Sequence, residues 1–442
     1  MAGRRRCDRS LRFCEPAISA IIKSQFRFDE VIVSMYIPRA MEQTVKDISA
    51  SFPVLLVTGA RQVGKTTMLQ ALREGTRQYV TLDDPLLRQL AVSDPALFLQ
   101  RFEPPVLIDE IQYAPEVLPH IKMLADKRRR SGDFWLTGSQ TFHMMKGVSE
   151  SLAGRVGIVN LLGLSNSELS GRVSTPFTGQ PADLIARARA RGAKPISLNE
   201  LFALIFRGGM PALHEEDRSP NVEVFFSSFT QTYLQRDIKD LTQVGDELSF
   251  LRFVSSAAAR TGQLVNYADM ARDAGISPPT AKQWLSILVS SGVVYLLEPY
   301  HTNILKRTIK APKLYFLDTG LCAYLSRWTT PEALQAGAMS GAFFETWVVA
   351  EILKSYLNSG RRPPLYHYRD RDMKEIDLVL DIDGTLHPIE IKLSANPGTQ
   401  STRQFKTLAD SGLRVGEGSV ICLVSDLLPA DRKNWLVPAW LI

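Results

Sequence analysis

Two sets of residues in this chain have the types and spacing to do chemistry. The first is Gly59-Ala60-Arg61-Gln62-Val63-Gly64-Lys65-Thr66-Thr67, a Gly-x4-Gly-Lys-Thr loop. Glycines at these places let the backbone wrap an anion, and several N–H groups then point inward at the start of a helix, whose dipole also favours negative charge. On this pattern Lys65 reaches the β- and γ-phosphates and the Thr66 hydroxyl ligates a divalent ion, so the expected ligands are ATP and Mg2+. Further on, Pro105-Val106-Leu107-Ile108-Asp109-Glu110 ends an apolar run in two acids. Asp109 is expected to hold the Mg2+ shell at the C-terminal edge of its strand, and Glu110 to polarise the attacking water as general base. Ser139, just past the run Asp133–Gly138, is the candidate γ-phosphate sensor, with Gln140 second; a helix cap fits Ser139 equally well. Arg155, before the apolar run Val156–Leu162, is the candidate arginine finger toward a neighbouring copy, its alternative being an ordinary surface arginine.

The second set is C-terminal. Glu375–Ile382 reads as a strand, Asp383-Gly384 as a two-residue hairpin turn and Thr385–Leu393 as the return strand. Pairing Ile382 with Thr385 puts Asp377 directly opposite Glu390, with Lys392 on the face of Glu390. Two facing carboxylates repel, and a divalent ion or a proton between them relieves this. Pro388 in the return strand predicts a sheet edge or a bulge. Glu345 lies near the start of a helical stretch, GAFFETWVVAEIL.

The elements that must position these residues follow from the hydrophobic pattern. A helix over 40–51 leads into a buried strand at Val54–Val57. Tyr79–Asp84 reads as a short strand ending in two acids, and 85–101 as alternating helix and loop. Short apolar strands alternating with helices predict an α/β fold with a parallel sheet covered on both faces. Residues 171–196, rich in Gly, Pro, Ala and Arg, read as a linker or surface excursion with one short helix. From 197 to 240 the pattern is helical, broken at Gly208–Pro211, with a lid over the nucleotide as the default role; Arg236 and Asp237 have no chemical role that spacing defines. Helical spacing over 248–260, 267–272 and 280–290, then a strand at 293–297, predicts a winged helix-turn-helix. Its wing, 301–313, carries Lys306, Arg307, Lys310 and Lys313 and no acid, which suits phosphate contact. The candidate recognition helix offers only Lys282 and Gln283, so a protein partner fits as well. The expected division is a loosely ordered segment at 1–34, an ATPase core at 35–170, an insertion and helical lid at 171–245, the winged unit at 246–315 and a smaller α/β unit at 316–442. Met35 is a candidate natural start.

The chain has 442 residues, a net charge of +6 and four cysteines without zinc-site spacing. The basic balance leans toward an acidic partner such as nucleic acid. Unpaired cysteines fit a reducing compartment. No apolar run approaches the roughly 18 residues of a membrane span, and the N-terminus lacks the apolar core of a secretory signal. The expected location is cytoplasmic, away from membranes.

The segments FPVLLVTGARQVGKTTML, VLIDEIQ, LTGSQ and SLAGRVG, in that order, resemble the P-loop ATPases of the AAA+ class. More narrowly, together with FRGGMPAL (206–213) and TYLQRDI (232–238), they resemble a prokaryotic family that fuses such an ATPase to a C-terminal domain of unknown function. The Asp-x12-Glu-x-Lys hairpin is similar to the PD-(D/E)xK nuclease core. That resemblance implies a site in which Asp377 and Glu390 hold Mg2+, Lys392 stabilises charge or orients water, and Glu345 is the fourth member. Three functions follow as expectations: an ATPase acting on or with nucleic acid, as a homo-oligomer if Arg155 acts across copies; an ATP-dependent switch with a protein partner; and an ATP-gated Mg2+-dependent nuclease.

Overall fold

The computed structural model describes residues 36–138, 147–148, 150–190, 194–215, 220–234, 247–301, 311–370, 372–410 and 412–442. The expected N-terminal segment with the Met35 start, Ser139, Gln140, Arg236, Asp237, Lys306, Arg307 and Lys310 lie outside these residues.

β1 (Val54–Thr58) is buried at every position. Leu55 and Val57 enter one apolar core and Val54 and Leu56 another, on opposite faces of the sheet. Such a two-sided strand needs helices on both faces, and each side chain buried in this way contributes about 1.5–3 kcal/mol. β1 is flanked by α1 (Glu42–Ser51) and α2 (Lys65–Leu72) in sequence. β2 (Gln78–Thr81), β3 (Val106–Asp109), β4 (Phe134–Gly138) and β5 (Val156–Asn160) complete a sheet of order β2-β3-β4-β1-β5. Every pairing in it is parallel, as the sequence pattern predicts. One boundary differs. The strand expected to end in Asp83-Asp84 stops at Thr81, and Asp84 caps the helix Pro85–Ser93 by accepting the N–H groups of Leu86 and Leu87. An Asp just before a proline is better used as an N-cap than as the end of a strand.

Residues 171–196 are not the surface excursion expected of them. Arg172 donates to the carbonyls of Trp440 and Ile442, and Phe177 exchanges hydrogen bonds with Ser355 and Tyr356. Phe177 and Leu184 are fully buried. Two apolar pegs in a Gly- and Pro-rich stretch are enough to seat it.

Residues 247–316 carry α3 (Glu247–Ala258), β6 (Gln263–Leu264), α4 (Tyr267–Ala274), α5 (Pro278–Ser290), β7 (Val294–Leu297) and β8 (Lys313–Phe316). The three strands form an antiparallel sheet of order β6-β8-β7. Trp284 of α5 packs edge-on against Phe250 and Phe253, with ring centroids 5.2 and 5.5 Å apart.

α6 (Ser340–Leu357) is followed by β9 (Leu365–Arg369), β10 (Glu375–Ile382), β11 (Thr385–Ile391), β12 (Gly418–Cys422), β13 (Leu428–Pro429) and β14 (Asn434–Pro438). Their order is β13-β14-β12-β11-β10-β9. The β10–β11 hairpin has the expected register, from Ile382 opposite Thr385 to Leu378 opposite Ile389. Pro388 marks neither an edge nor a bulge in this pair, because β11 is interior, with β12 on its other side. The proline falls between the hydrogen bonds that Leu386 makes with Arg414 and Gly416 and the β12 pairing of residues 389–391, so no ladder needs its missing N–H. The bulge lies across β10, in its pairing with β9. One continuous core runs from Met41, at the N-cap of α1, to Ile442.

Candidate functional sites

The phosphate loop leaves β1 at Gly59 and enters α2 at Lys65. A Cβ on Gly59 would lie 2.2 Å from the Leu161 carbonyl oxygen, at a φ of +147°, so only glycine lets the loop turn there. Gly59→Ala should therefore collapse nucleotide binding and lower the melting temperature, measured by binding of a fluorescent ATP analogue and by thermal unfolding. Gly64 caps α2 in the left-handed region at φ 90°.

Lys65 is 5% exposed, and its Nζ donates to the Gly59 and Ala60 carbonyls at 3.1 and 2.9 Å. Burial holds its pKa below the usual lysine value, against the opposing charges of Glu110 and Asp109. A lysine folded onto its own loop in this way is ready to exchange carbonyl partners for phosphate oxygens. The Thr66 hydroxyl donates to Asp109 Oδ1 at 2.6 Å. A hydroxyl and a carboxylate brought together at the N-terminus of a helix form an oxygen donor set that suits Mg2+.

Asp109, 5% exposed, receives two further hydroxyls, from Thr137 at 2.5 Å and Tyr79 at 3.3 Å. Glu110 has a left-handed backbone at φ 59°, and its N–H donates to Thr137 Oγ1 at 3.0 Å. A non-glycine residue held there costs about 1–3 kcal/mol and persists only where its surroundings fix it. Its carboxylate accepts from Gln112.

Arg39 pins the loop from behind. Its Nη1 donates to Val63 O and its Nη2 to Leu162 O, both at 2.7 Å, and its Nε pairs with Glu168 Oε1 at 3.0 Å. Burial pushes the Glu168 carboxyl upward, but Arg39 and the N–H groups of Ser165 and Ala40 outweigh it and hold the pKa low. A cavity of about 90 Å3 opens beside Gly64 and Thr67, lined also by Tyr36, Arg39 and Pro211. Sequence reading missed Arg39, Thr137, Tyr79 and Glu168. For Tyr79 and Thr137, residue alternation along β2 and β4 carried a usable signal.

Arg155 is not brought to this loop. It precedes β5, its carbonyl accepts the Val54 N–H at the start of β1, and its guanidinium makes a two-point ion pair with Asp126. In a parallel sheet that is the edge opposite the phosphate loop.

The C-terminal candidates do assemble. Lys392 Nζ is 2.5 Å from Glu390 Oε1 and 3.9 Å from Asp377 Oδ2, and Asp377 Oδ2 also accepts the Ile391 N–H at 2.8 Å. Glu345 on α6 receives the Tyr315 hydroxyl at 2.6 Å. Burial and the charge of Asp377 push the Glu390 pKa up to about 7, against Lys392. The same two causes raise Glu345, against Lys313 and Tyr315.

Lys313 corrects the reading of the wing. It is not a solvated phosphate contact: it opens β8, its side chain is 4% exposed, and its ammonium lies among Glu375 (2.6 Å), Glu345 (3.3 Å) and Asp377 (4.0 Å). Lys313 and Glu375 also line an open groove of about 960 Å3, beside Arg260 and Arg369.

Residues 51–170 match the family model described as "AAA domain". With the loop geometry, this defines an AAA-type P-loop ATPase domain, the class whose activity is ATP hydrolysis. Residues 198–332 and 340–442 match two further models, each described as a domain of unknown function (DUF8612 and DUF4143). The chain is 27% identical over 345 residues to the uncharacterized protein Rv2008c of Mycobacterium tuberculosis, covering 78% of this chain and 71% of that protein. The uncharacterized protein Mb2031c of Mycobacterium bovis matches with the same figures. Among solved structures, the Walker-type ATPase paby2304 of Pyrococcus abyssi matches at 15% identity and a TM-score of 0.39, over 64% of this chain and 94% of that one. AMPPCP-bound DnaA from Aquifex aeolicus matches at 13% identity and a TM-score of 0.23, over 56% of this chain and 85% of that one. Neither reaches a TM-score of 0.5, so they add nothing to the assignment made from the loop and the family match. Among the described residues no helix is long and apolar enough to cross a membrane.

Proposed function

We propose that this chain is an ATP-hydrolysing switch of the AAA type that works with nucleic acid. The observation that carries the reading is the joined set of Lys65 on the loop carbonyls and Thr66 on Asp109. In this scheme Lys65 moves from the Gly59 and Ala60 carbonyls to the β- and γ-phosphates. Thr66 and Asp109 would hold Mg2+, which would supply positive charge against the phosphates. Glu110 orients the attacking water, and the cavity beside Gly64 seats part of the nucleoside.

The nucleic-acid partner is supported by three features. The helix–strand–helix–helix–strand–strand order of residues 247–316, with its β6-β8-β7 sheet, fits a winged helix. The sequence between β7 and β8 is basic. The acid–lysine hairpin supports a nuclease-like fold for the C-terminal unit.

The test is the ATPase rate of the full chain and of Lys65→Ala, with and without duplex DNA, single-stranded DNA and RNA. Wild-type turnover should rise with at least one nucleic acid, and the increase should weaken with salt. Lys65→Ala should be silent throughout. Turnover that no nucleic acid changes would transfer the client role to a protein.

A further inference from the structure

The nuclease-like hairpin implies a divalent ion between Asp377 and Glu390, and the surrounding residues do not fit one. Asp377 Oδ1 faces the Lys313 ammonium at 4.0 Å, while its Oδ2 takes the Ile391 N–H at 2.8 Å and faces Lys392 at 3.9 Å. Glu390 Oε1 is taken by Lys392 at 2.5 Å. Glu345 Oε1 is shared between Tyr315 and Lys313, and Glu375 Oε1 is held by Lys313 at 2.6 Å. Among the described residues no group of three or more His, Cys, Asp or Glu side chains is placed to hold a metal ion.

We infer that Lys313 is the resident cation of this site. Its ammonium stands where the acids would otherwise gather a metal, and the C-terminal unit takes no Mg2+ there. The geometry supports this from both sides. Three carboxylates from two other elements, α6 and β10, converge on one nitrogen, and that nitrogen belongs to β8 of the neighbouring three-stranded sheet. A buried ammonium without such partners would be strongly destabilising. The cluster therefore joins the two sheets, with the Lys313 and Lys392 ammoniums set against four carboxylates and Glu390 Oε2 buried without a hydrogen-bond partner among the described residues. The C-terminal unit then serves for binding or for holding the chain together, and it does not cut phosphodiesters through a bound metal. The inference rests on the hairpin reading alone and is independent of the ATPase.

The experiment is Mn2+ titration of the nucleotide-free full chain, read by electron paramagnetic resonance, on wild type, Asp377→Asn, Lys313→Met and the Lys313→Met/Asp377→Asn double variant. Wild type and Asp377→Asn should bind equal numbers of ions, because any ion at Thr66 and Asp109 is common to both. Lys313→Met should gain one ion per chain, and the double variant should lose it. An Asp377-dependent ion in the wild type overturns the inference, and that comparison decides even if Lys313→Met does not fold. A Lys313→Met protein that is folded by circular dichroism yet gains no ion also overturns it.

Discussion

Arg39→Met should lower the free energy of unfolding by about 3–5 kcal/mol, the range for removing one partner of a buried ion pair. Both side chains of the Arg39–Glu168 pair are only 2% exposed, so the carboxylate left behind has no route to water. The N–H groups of Ala40 and Ser165 remain on it but do not neutralise its charge. Because Arg39 also holds the Val63 carbonyl of the phosphate loop, nucleotide affinity should fall together with stability. Adding Glu168→Gln should restore part of the loss, since the buried charge is then gone. The pair also sets an acid dependence. Glu168 has a folded pKa below its unfolded one, so its contribution is fully present above the unfolded value and is lost as the pH falls through the folded value. Wild type should therefore lose more stability between neutral pH and the carboxylate range than the double variant does. Urea unfolding across that range measures all three proteins. An Arg39→Met protein as stable as wild type would remove the pair from any structural role.

Glu110→Gln should lower ATP turnover by about 10²–10⁴-fold, the range for losing a positioned general base, while leaving ATP binding nearly intact. Glutamine keeps the length of the side chain and leaves the Glu110 N–H bond to Thr137 in place, so the backbone at φ 59° has no reason to move. What is lost is a carboxylate able to polarise water. Lys65→Ala differs in removing the phosphate contact itself, so affinity falls as well as rate. Equilibrium binding of a fluorescent nucleotide beside single-turnover hydrolysis separates the two. Equal loss of affinity in both variants would mean that Glu110 shapes the loop and does not act on water.

Legibility in the sequence tracked how local each determinant is. The phosphate loop, the Asp109 strand and the parallel sheet were readable because their chemistry lies within short windows. The Asp377–Glu390–Lys392 set was readable because Asp383-Gly384 fixes the hairpin register, after which alternation does the rest. Arg39 was not, because its partner Glu168 is 129 residues away and nothing in the intervening pattern connects them. Lys313 was misread for a related reason. It follows a run of lysines and an arginine that reads as solvated, and its burial is decided by β8 lying between β6 and β7 and by acids supplied from α6 and β10. Residues 171–196 show composition misleading in the same way: their glycines and prolines suggested a loose excursion, and the positions of Phe177 and Leu184 decided the outcome.

The seat of that segment has a consequence for how the protein is made. Asn166 and Arg172 close the far side of the ATPase half by donating to carbonyls of Ile442 and Trp440, 276 and 268 residues further along the chain. At about 5–20 residues per second, translation needs roughly 14–55 s to cover such a distance. During that interval the parallel sheet can form, while Phe177 gains its partners Ser355 and Tyr356 only after 178 and 179 further residues. The seat of this segment is therefore completed only at the end of synthesis, after the sheet that precedes it.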